Sequence, residues 1–158
     1  MVKDIPLSEI TLRRYEKPYN LTEREIVKKI CLSLGLLQPG DSRDIIVDIL
    51  LVLLNSSKSK QFLDQKKIKE LAEEIRKKNN LDIKGLADSN IRRQLKRLKD
   101  LMIVEKLNEG YRIVEFESLS NLVKNRIEKF YIYPIIERVH DYLDIYESLS
   151  KENQDKLE

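Results

Sequence analysis

Apolar residues recur every three or four positions over most of this chain, and the breaks in that rhythm divide it. Residues 1–20 show no period. Pro6 and Pro18 punctuate them, and Arg13, Arg14 and Lys17 form a small basic cluster, which reads as an arm lying on the body or on a partner. Thr22 and Glu25 stand at capping-box spacing, so a helix should start there. Ile26, Val27, Ile30, Cys31 and Leu34 follow on its apolar face. It should stop near Gly35, ahead of a tight Gln38-Pro39-Gly40-Asp41 turn. A second helix, about residues 43–55 and capped by Asp41 or Ser42, is apolar on nearly every side from Ile45 to Leu54. That is the pattern of a central buried helix. Asn55 to Lys60 reads as a polar loop.

Phe62-Leu63-Asp64 is short enough for a single extended segment. Residues 66–78 form an amphipathic helix, with Ile68, Leu71, Ala72 and Ile75 on its inner face. After a loop from Asn79 to Ala87, Asp88 or Ser89 should cap a helix over 89–101 whose buried stripe is Ile91, Leu95, Leu98 and Met102. Ile103–Leu107 and Tyr111–Phe116 are two extended runs joined by Asn108-Glu109-Gly110, a connection that suits a hairpin. From Ser118 to Leu149 the helical rhythm returns through Leu119, Leu122, Val123, Ile127, Phe130, Ile135, Val139, Leu143 and Tyr146. Pro134 should kink or break it, and the polar residues 150–158 should fray.

Charge adds a location to this pattern. The 158 residues carry a net charge of only +3, but residues 58–99 hold 14 basic against 6 acidic side chains, net +8. Residues 1–57 are neutral and residues 115–158 are net −4. A local positive field attracts polyanions even when the whole chain is near neutral; a solvated, Lys-rich surface is the bland alternative. Composition removes other classes. The apolar run in 45–54 is too short for a membrane span, and no secretory signal opens the chain, so a cytoplasmic protein is expected. One cysteine and one histidine leave neither a disulfide nor a metal site. Cys31 reads as a buried thiol and His140 as a surface residue. No catalytic set or cofactor site is visible, and an enzyme is not expected.

With Ile91, Leu95, Leu98 and Met102 inward, the helix 89–101 turns Ser89, Arg92, Arg93, Lys96 and Arg97 outward, flanked by Asn90 and Gln94. Arg reads guanine and Asn or Gln reads adenine in a major groove that admits one helix, while Lys, Arg and hydroxyls meet phosphate.

The stretches Lys66-Lys-Ile-Lys-Glu-Leu-Ala-Glu-Glu-Ile75, Asp88-Ser-Asn-Ile-Arg-Arg-Gln-Leu-Lys-Arg-Leu98 and Met102-Ile-Val-Glu-Lys with Gly110-Tyr-Arg-Ile113 resemble the second helix, recognition helix and wing of the winged helix-turn-helix DNA-binding family, of the archaeal transcriptional-regulator type. The resemblance covers about residues 43–116. It implies a mostly α fold with a short β-hairpin wing and a long C-terminal helix. An N-terminal arm and helix (1–42) would precede the winged helix domain (43–116), and a dimerisation segment (117–158) would follow. It further implies that Ser89, Asn90, Arg92, Arg93 and Arg97 read bases, with Arg112 touching DNA from the wing. Lys66, Lys67, Lys96 and Lys99 are candidate phosphate contacts. The loop 79–87 is longer than the usual turn, and the wing is short.

A C-terminal apolar stripe this long exceeds what a small domain covers. A second copy of the chain is one cover, through Leu122, Ile127, Phe130, Ile135, Val139, Leu143 and Tyr146; packing back onto the two N-terminal helices is the other. The expected function is sequence-specific binding of double-stranded DNA as a homodimer, in transcriptional regulation. A winged-helix protein-interaction module without DNA contact is the competing reading. Ile, Lys and Glu richness without Trp suggests a thermophilic, archaeal source.

Overall fold

The computed structural model describes residues 3–157. Its elements run α1 (Glu23–Ser33), α2 (Ile45–Lys58), α3 (Gln65–Lys78), α4 (Asp88–Asp100), β1 (Val104–Leu107), β2 (Gly110–Ile113), a 3-10 turn (Val114–Phe116) where the second extended run is expected to continue but Glu115 and Phe116 take positive φ, α5 (Leu119–Leu122), a π-helical stretch (Val123–Ile132) and α6 (Tyr133–Leu157). The chain is thus mostly helical, with one small antiparallel sheet and a long C-terminal helix. No helix among the described residues is long and apolar enough to cross a membrane.

α1 begins at the expected capping box, the Thr22 hydroxyl accepting from the Glu25 N–H while the Glu25 carboxylate accepts from the Thr22 N–H. It ends where Gly35 takes φ +71° and the Leu36 N–H reaches back to the Cys31 carbonyl at 2.8 Å, a left-handed helix stop. A Cβ on Gly35 would come within 2.6 Å of the Thr11 carbonyl oxygen, because the arm crosses there. Arg13 ties that arm down. Its N–H donates to the Ser33 carbonyl, and its guanidinium donates to the carbonyls of Leu32 and Leu37. The Leu32 and Ser33 carbonyls lie at the C-terminus of α1, where a cation is favoured, and the Leu37 carbonyl lies in the connection that follows. Of α1's apolar residues only Val27, Cys31 and Leu32 are buried; Ile26, expected on the inner face, is exposed because the buried side of α1 lies one position further round.

α2 is the hub. It packs on α1, α3, α4 and β2, and every residue from Ile45 to Leu53 is buried. It runs to Lys58, through residues expected to form a loop. The Ser56 hydroxyl donates to the Leu53 carbonyl at 3.1 Å, so the polar residues satisfy the helix's own acceptors while packing holds the turn. Asp41 and Ser42 do not cap it. Asp44 is the N-cap and makes no side-chain capping bond, because its carboxylate serves another purpose described below. α2 thus starts two residues later than expected, whereas α4 starts one residue early. Ala87 is its N-cap, and Asp88 sits in the first turn, where a negative charge suits the helix end. Met102, expected on the buried stripe, lies beyond α4 at φ +64°. The Ile103 N–H closes onto the Leu98 carbonyl and the Met102 N–H onto Lys99, the pattern of a Schellman stop. This leaves Met102 half-buried and buries Leu101 and Ile103 instead.

β1 and β2 pair with Val104 opposite Ile113 and Leu107 opposite Gly110. The short run expected around Phe62–Asp64 joins them as a single bridge, Leu63 and Tyr111 exchanging backbone hydrogen bonds at 3.0 and 2.8 Å. Gly110 makes this possible: a Cβ there would lie 2.7 Å from the Leu63 carbonyl oxygen.

Four charges meet in this core, Asp44, Asp48 and Arg76 buried and Arg24 half-buried at its edge. Arg24 (α1) reaches Asp48 at 2.8 Å and Asp44 at 3.2 Å, and Arg76 (α3) reaches Asp48 at 2.7 Å and Asp44 at 2.9 Å. The Arg76 Nε also donates to the Asp82 carbonyl, which anchors the α3–α4 loop. Asp48 and Arg76 are 0% and 2% exposed. Burial pushes the Asp44 carboxyl up, but the hydrogen bonds and charges of Arg76 and Arg24 outweigh it and leave its pKa below the ordinary 3.8. The same attraction, working against burial, raises both guanidinium values. A carboxylate with a lowered folded pKa stabilises the fold above its unfolded pKa and loses that contribution as pH falls through the folded value. The urea midpoint, followed by circular dichroism, should therefore be flat from neutrality down to about pH 5 and fall steeply below about pH 4.

The C-terminal helix does not break at Pro134. Hydrogen bonds through Val123–Ile132 close on i+5, and the Tyr133 N–H donates to the Glu128 carbonyl. Pro134 then falls in the first turn of α6, where its missing N–H is tolerated. Nor do residues 150–157 fray: α6 runs to Leu157. Glu158 lies outside the described residues.

Candidate nucleic-acid interface

α3 and α4 meet at their N-terminal ends. The Gln65 amide donates to the Asp88 carbonyl at 3.0 Å, and the Lys69 ammonium pairs with the Asp88 carboxylate at 3.1 Å. Asp64 caps α3 by accepting from the Lys67 N–H. These contacts bring Lys66 and Lys67, both exposed, to the end where α4 begins.

The polar surface of α4 divides into two rows. Ser89, Arg92, Lys96 and Lys99 follow one another at three- and four-residue steps and are all exposed. Arg92 and Lys99 make no ion pair with any described residue, while Lys96 pairs along the helix with Asp100 at 2.9 Å. Asn90, Arg93, Gln94 and Arg97 form the second row, which lines a groove of about 430 Å³ against the α1–α2 connection. Here the side chains bond each other. The Asn90 amide donates to the Gly85 carbonyl at 2.8 Å, its oxygen accepts from Arg93 at 2.7 Å and Gln94 at 3.1 Å, and the Gln94 oxygen accepts from Arg97 at 3.0 Å. Arg97 also approaches the Gly35 carbonyl at 3.4 Å. It is half-buried against the body rather than extended from it, and of the second row only Arg93 is exposed.

Arg112 is placed differently from its expected role at the hairpin. Its guanidinium donates to Glu105 at 2.9 Å and lies 5.0 and 4.8 Å from the ring centres of Phe62 and Phe116. A guanidinium held over two aromatic faces and paired with a carboxylate is a brace. The cation left near the hairpin tip is Lys106, over the Tyr111 ring. Sequence reasoning passed over Arg43, expected to open the second helix, and Lys84, a loop residue; α2 starts only at Ile45, and the fold brings both to the groove beside Arg93 and Arg97. It also passed over Asp48 and Arg76. A lone acid inside an apolar helix, and an arginine four residues beyond Ala72 on α3's inner face, are the signal of a buried pair.

The expected dimerisation residues separate into two groups. Leu122 and Ile127 are 2% and 0% exposed and belong to the core of their own chain, so they cannot face a partner. Phe130, Val139, Leu143 and Tyr146 are exposed, and Ile135 is half-buried beside the arm residues Ile5–Ser8. Tyr133, Ile136, Tyr142, Ile145 and Leu149 extend the exposed apolar surface. No residue of α6 is buried, so the helix does not pack back on α1 or α2. The chain exposes 11313 Å², whereas a compact chain of 18.7 kDa exposes about 8,300 Å².

His140 is exposed and Cys31 fully buried; burial pushes its thiol up to about 12, where it is inert. Compared with protein-family models, curated proteins and solved structures, the chain matches none.

Proposed function

We propose that this protein binds double-stranded DNA as a homodimer, in transcriptional regulation, through a winged helix-turn-helix made of α2, α3, α4 and the hairpin. The observation that carries the reading is the open row of α4: a hydroxyl and three cations in line on a helix whose opposite side is wholly core. Three features support it. The Leu63–Tyr111 bridge gives the hairpin the short third strand of such a domain. Lys66 and Lys67 flank the start of α4, where they would meet phosphates. Arg93 extends the row toward the groove and is the remaining exposed candidate for a base contact. Arg97 becomes a positioning residue that holds Gln94, and Arg112 a brace of the hairpin.

α6 supplies the second copy's contact in this reading. Its exposed apolar residues lie on a rod whose main contact among the described elements is the π-helical stretch before it, with the arm residues Ile5–Ser8 beside its first turns. The excess exposed area, about 3,000 Å² over a compact chain, is ample for the roughly 800 Å² per partner that a stable interface buries. That same surface favours the competing reading, a protein-interaction module without DNA contact.

Fluorescence anisotropy with a random duplex at two salt concentrations separates them. Wild-type protein should bind in a strongly salt-dependent way. Lys96→Ala with Lys99→Ala should weaken binding at least about tenfold and flatten the log–log salt slope by about two units, one for each phosphate that is no longer neutralised. Absence of binding at low salt would leave the interaction module as the function.

A further inference from the structure

The groove between α4 and the α1–α2 connection has a chemistry that the open row of α4 does not share. Its walls carry Arg43, Lys84, Arg93 and Arg97; Arg43 pairs with the one lining carboxylate, Asp41, at 3.3 Å, and Lys84 pairs with Asp82 outside the groove at 3.9 Å. Each of its side-chain amide oxygens already accepts a hydrogen bond, and of its carboxylate oxygens only the second of Asp41 has no partner among the described residues. The Asn90 oxygen takes two bonds and the Gln94 oxygen one. The Gln38 oxygen accepts from Arg13 at 2.9 Å. One Asp41 oxygen accepts from the Arg43 backbone and side chain. Donors remain. Each guanidinium has five N–H groups; Arg93 uses one of them and Arg97 two on described partners. Gln38 keeps its amide hydrogens. Leu36, Leu37, Ile45 and Ile46 lie beneath. The volume falls within the ~300–1,000 Å³ of small-molecule sites.

A concave site with unused donors, two guanidiniums without an ion pair among the described residues (Arg93 and Arg97), two further cations whose paired side chains remain open to solvent, and an aliphatic floor suits an acceptor-rich anion attached to an organic body. We infer that the groove binds a small organic phosphate of mononucleotide size. The phosphate would meet Arg43, Lys84 and Arg93, and the organic part would lie over Ile45 and Ile46. The binding itself does not depend on the DNA reading. Its regulatory meaning rests on that reading, because Arg93 is shared by the groove and the duplex-facing side of α4.

Isothermal titration of the full chain with AMP, and separately with inorganic phosphate, tests this. AMP should bind with a Kd tighter than about 1 mM, and inorganic phosphate at least about tenfold more weakly, since it leaves the floor uncovered. Arg43→Ala with Lys84→Ala should weaken AMP at least tenfold. These side chains are 87% and 89% exposed, so the variant should keep the wild-type circular dichroism. Equal affinity for AMP and phosphate, no AMP binding, or AMP binding unchanged in the variant would each overturn the proposal. Parallel titration with duplex keeps the two readings apart. If duplex binds and AMP does not, DNA binding stands and the groove site falls. If AMP binds and duplex does not, the reverse holds. If the variant weakens duplex while AMP never binds, the groove serves backbone phosphates and the small-ligand site is overturned.

Discussion

Arg76→Ala is expected to destabilise the protein by about 3–5 kcal/mol, because removing one partner of a buried ion pair leaves the other charged and dry. Arg76 donates to Asp44, Asp48 and the Asp82 carbonyl, so its loss strands acceptors on α2 and frees the loop ahead of α4. For a chain of this size the thermal midpoint should drop by roughly 6–20 °C, read by circular dichroism. The double variant Asp48→Leu with Arg76→Met removes charge from both sides at once and leaves Arg24 facing Asp44. It should regain much of the lost stability, since replacing a buried pair with apolar residues is often neutral or better. If the single variant melts like wild type, the four charges are not the connection between α1, α2 and α3 described above.

The second large effect concerns α6. Tyr142→Glu with Tyr146→Glu places two carboxylates in the middle of its apolar surface. The two tyrosines are 70% and 68% exposed in the protomer, so the fold and its helical signal should be unchanged. The mass measured by light scattering should fall from twice 18.7 kDa to once. Affinity for a duplex carrying two sites should drop by about 100-fold or more, as the second body no longer binds at high effective concentration. A dimer that survived both glutamates would move the contact away from α6.

Much of the helical order was readable because burial imposes its period. α2 was recognisable as central from an apolar run with no polar side, and α1 from its capping box. The hairpin showed through the Gly between two extended runs. What failed to show depended on partners distant in sequence. Asp48 looked like an interruption, yet its two guanidiniums come from α1 and α3. Arg112 looked like a free cation, yet Phe62 and Phe116, from separate segments, enclose it. Arg97 lay on the outward side of an ideal wheel, but the wheel does not know that Gly35 and the α1–α2 connection pass beside it. Leu122 and Ile127 continued the rhythm of the exposed stripe and were grouped with it. The π-helical stretch explains that error: each ring closing on i+5 holds one more residue than an α turn, about 100° on an α-helical wheel. A stripe unbroken in sequence therefore faces inward before residue 128 and outward after 133.

The 25 residues of α6 also act as a ruler. At 1.5 Å per residue the rod is about 37 Å long. Two such rods laid head to tail would hold their bodies about one rod length apart, close to the roughly 34–36 Å between successive turns of B-DNA. Laid head to head, they would bring the bodies side by side. The direction of that pairing would thus set whether the favoured operator is two spaced half-sites or one continuous block.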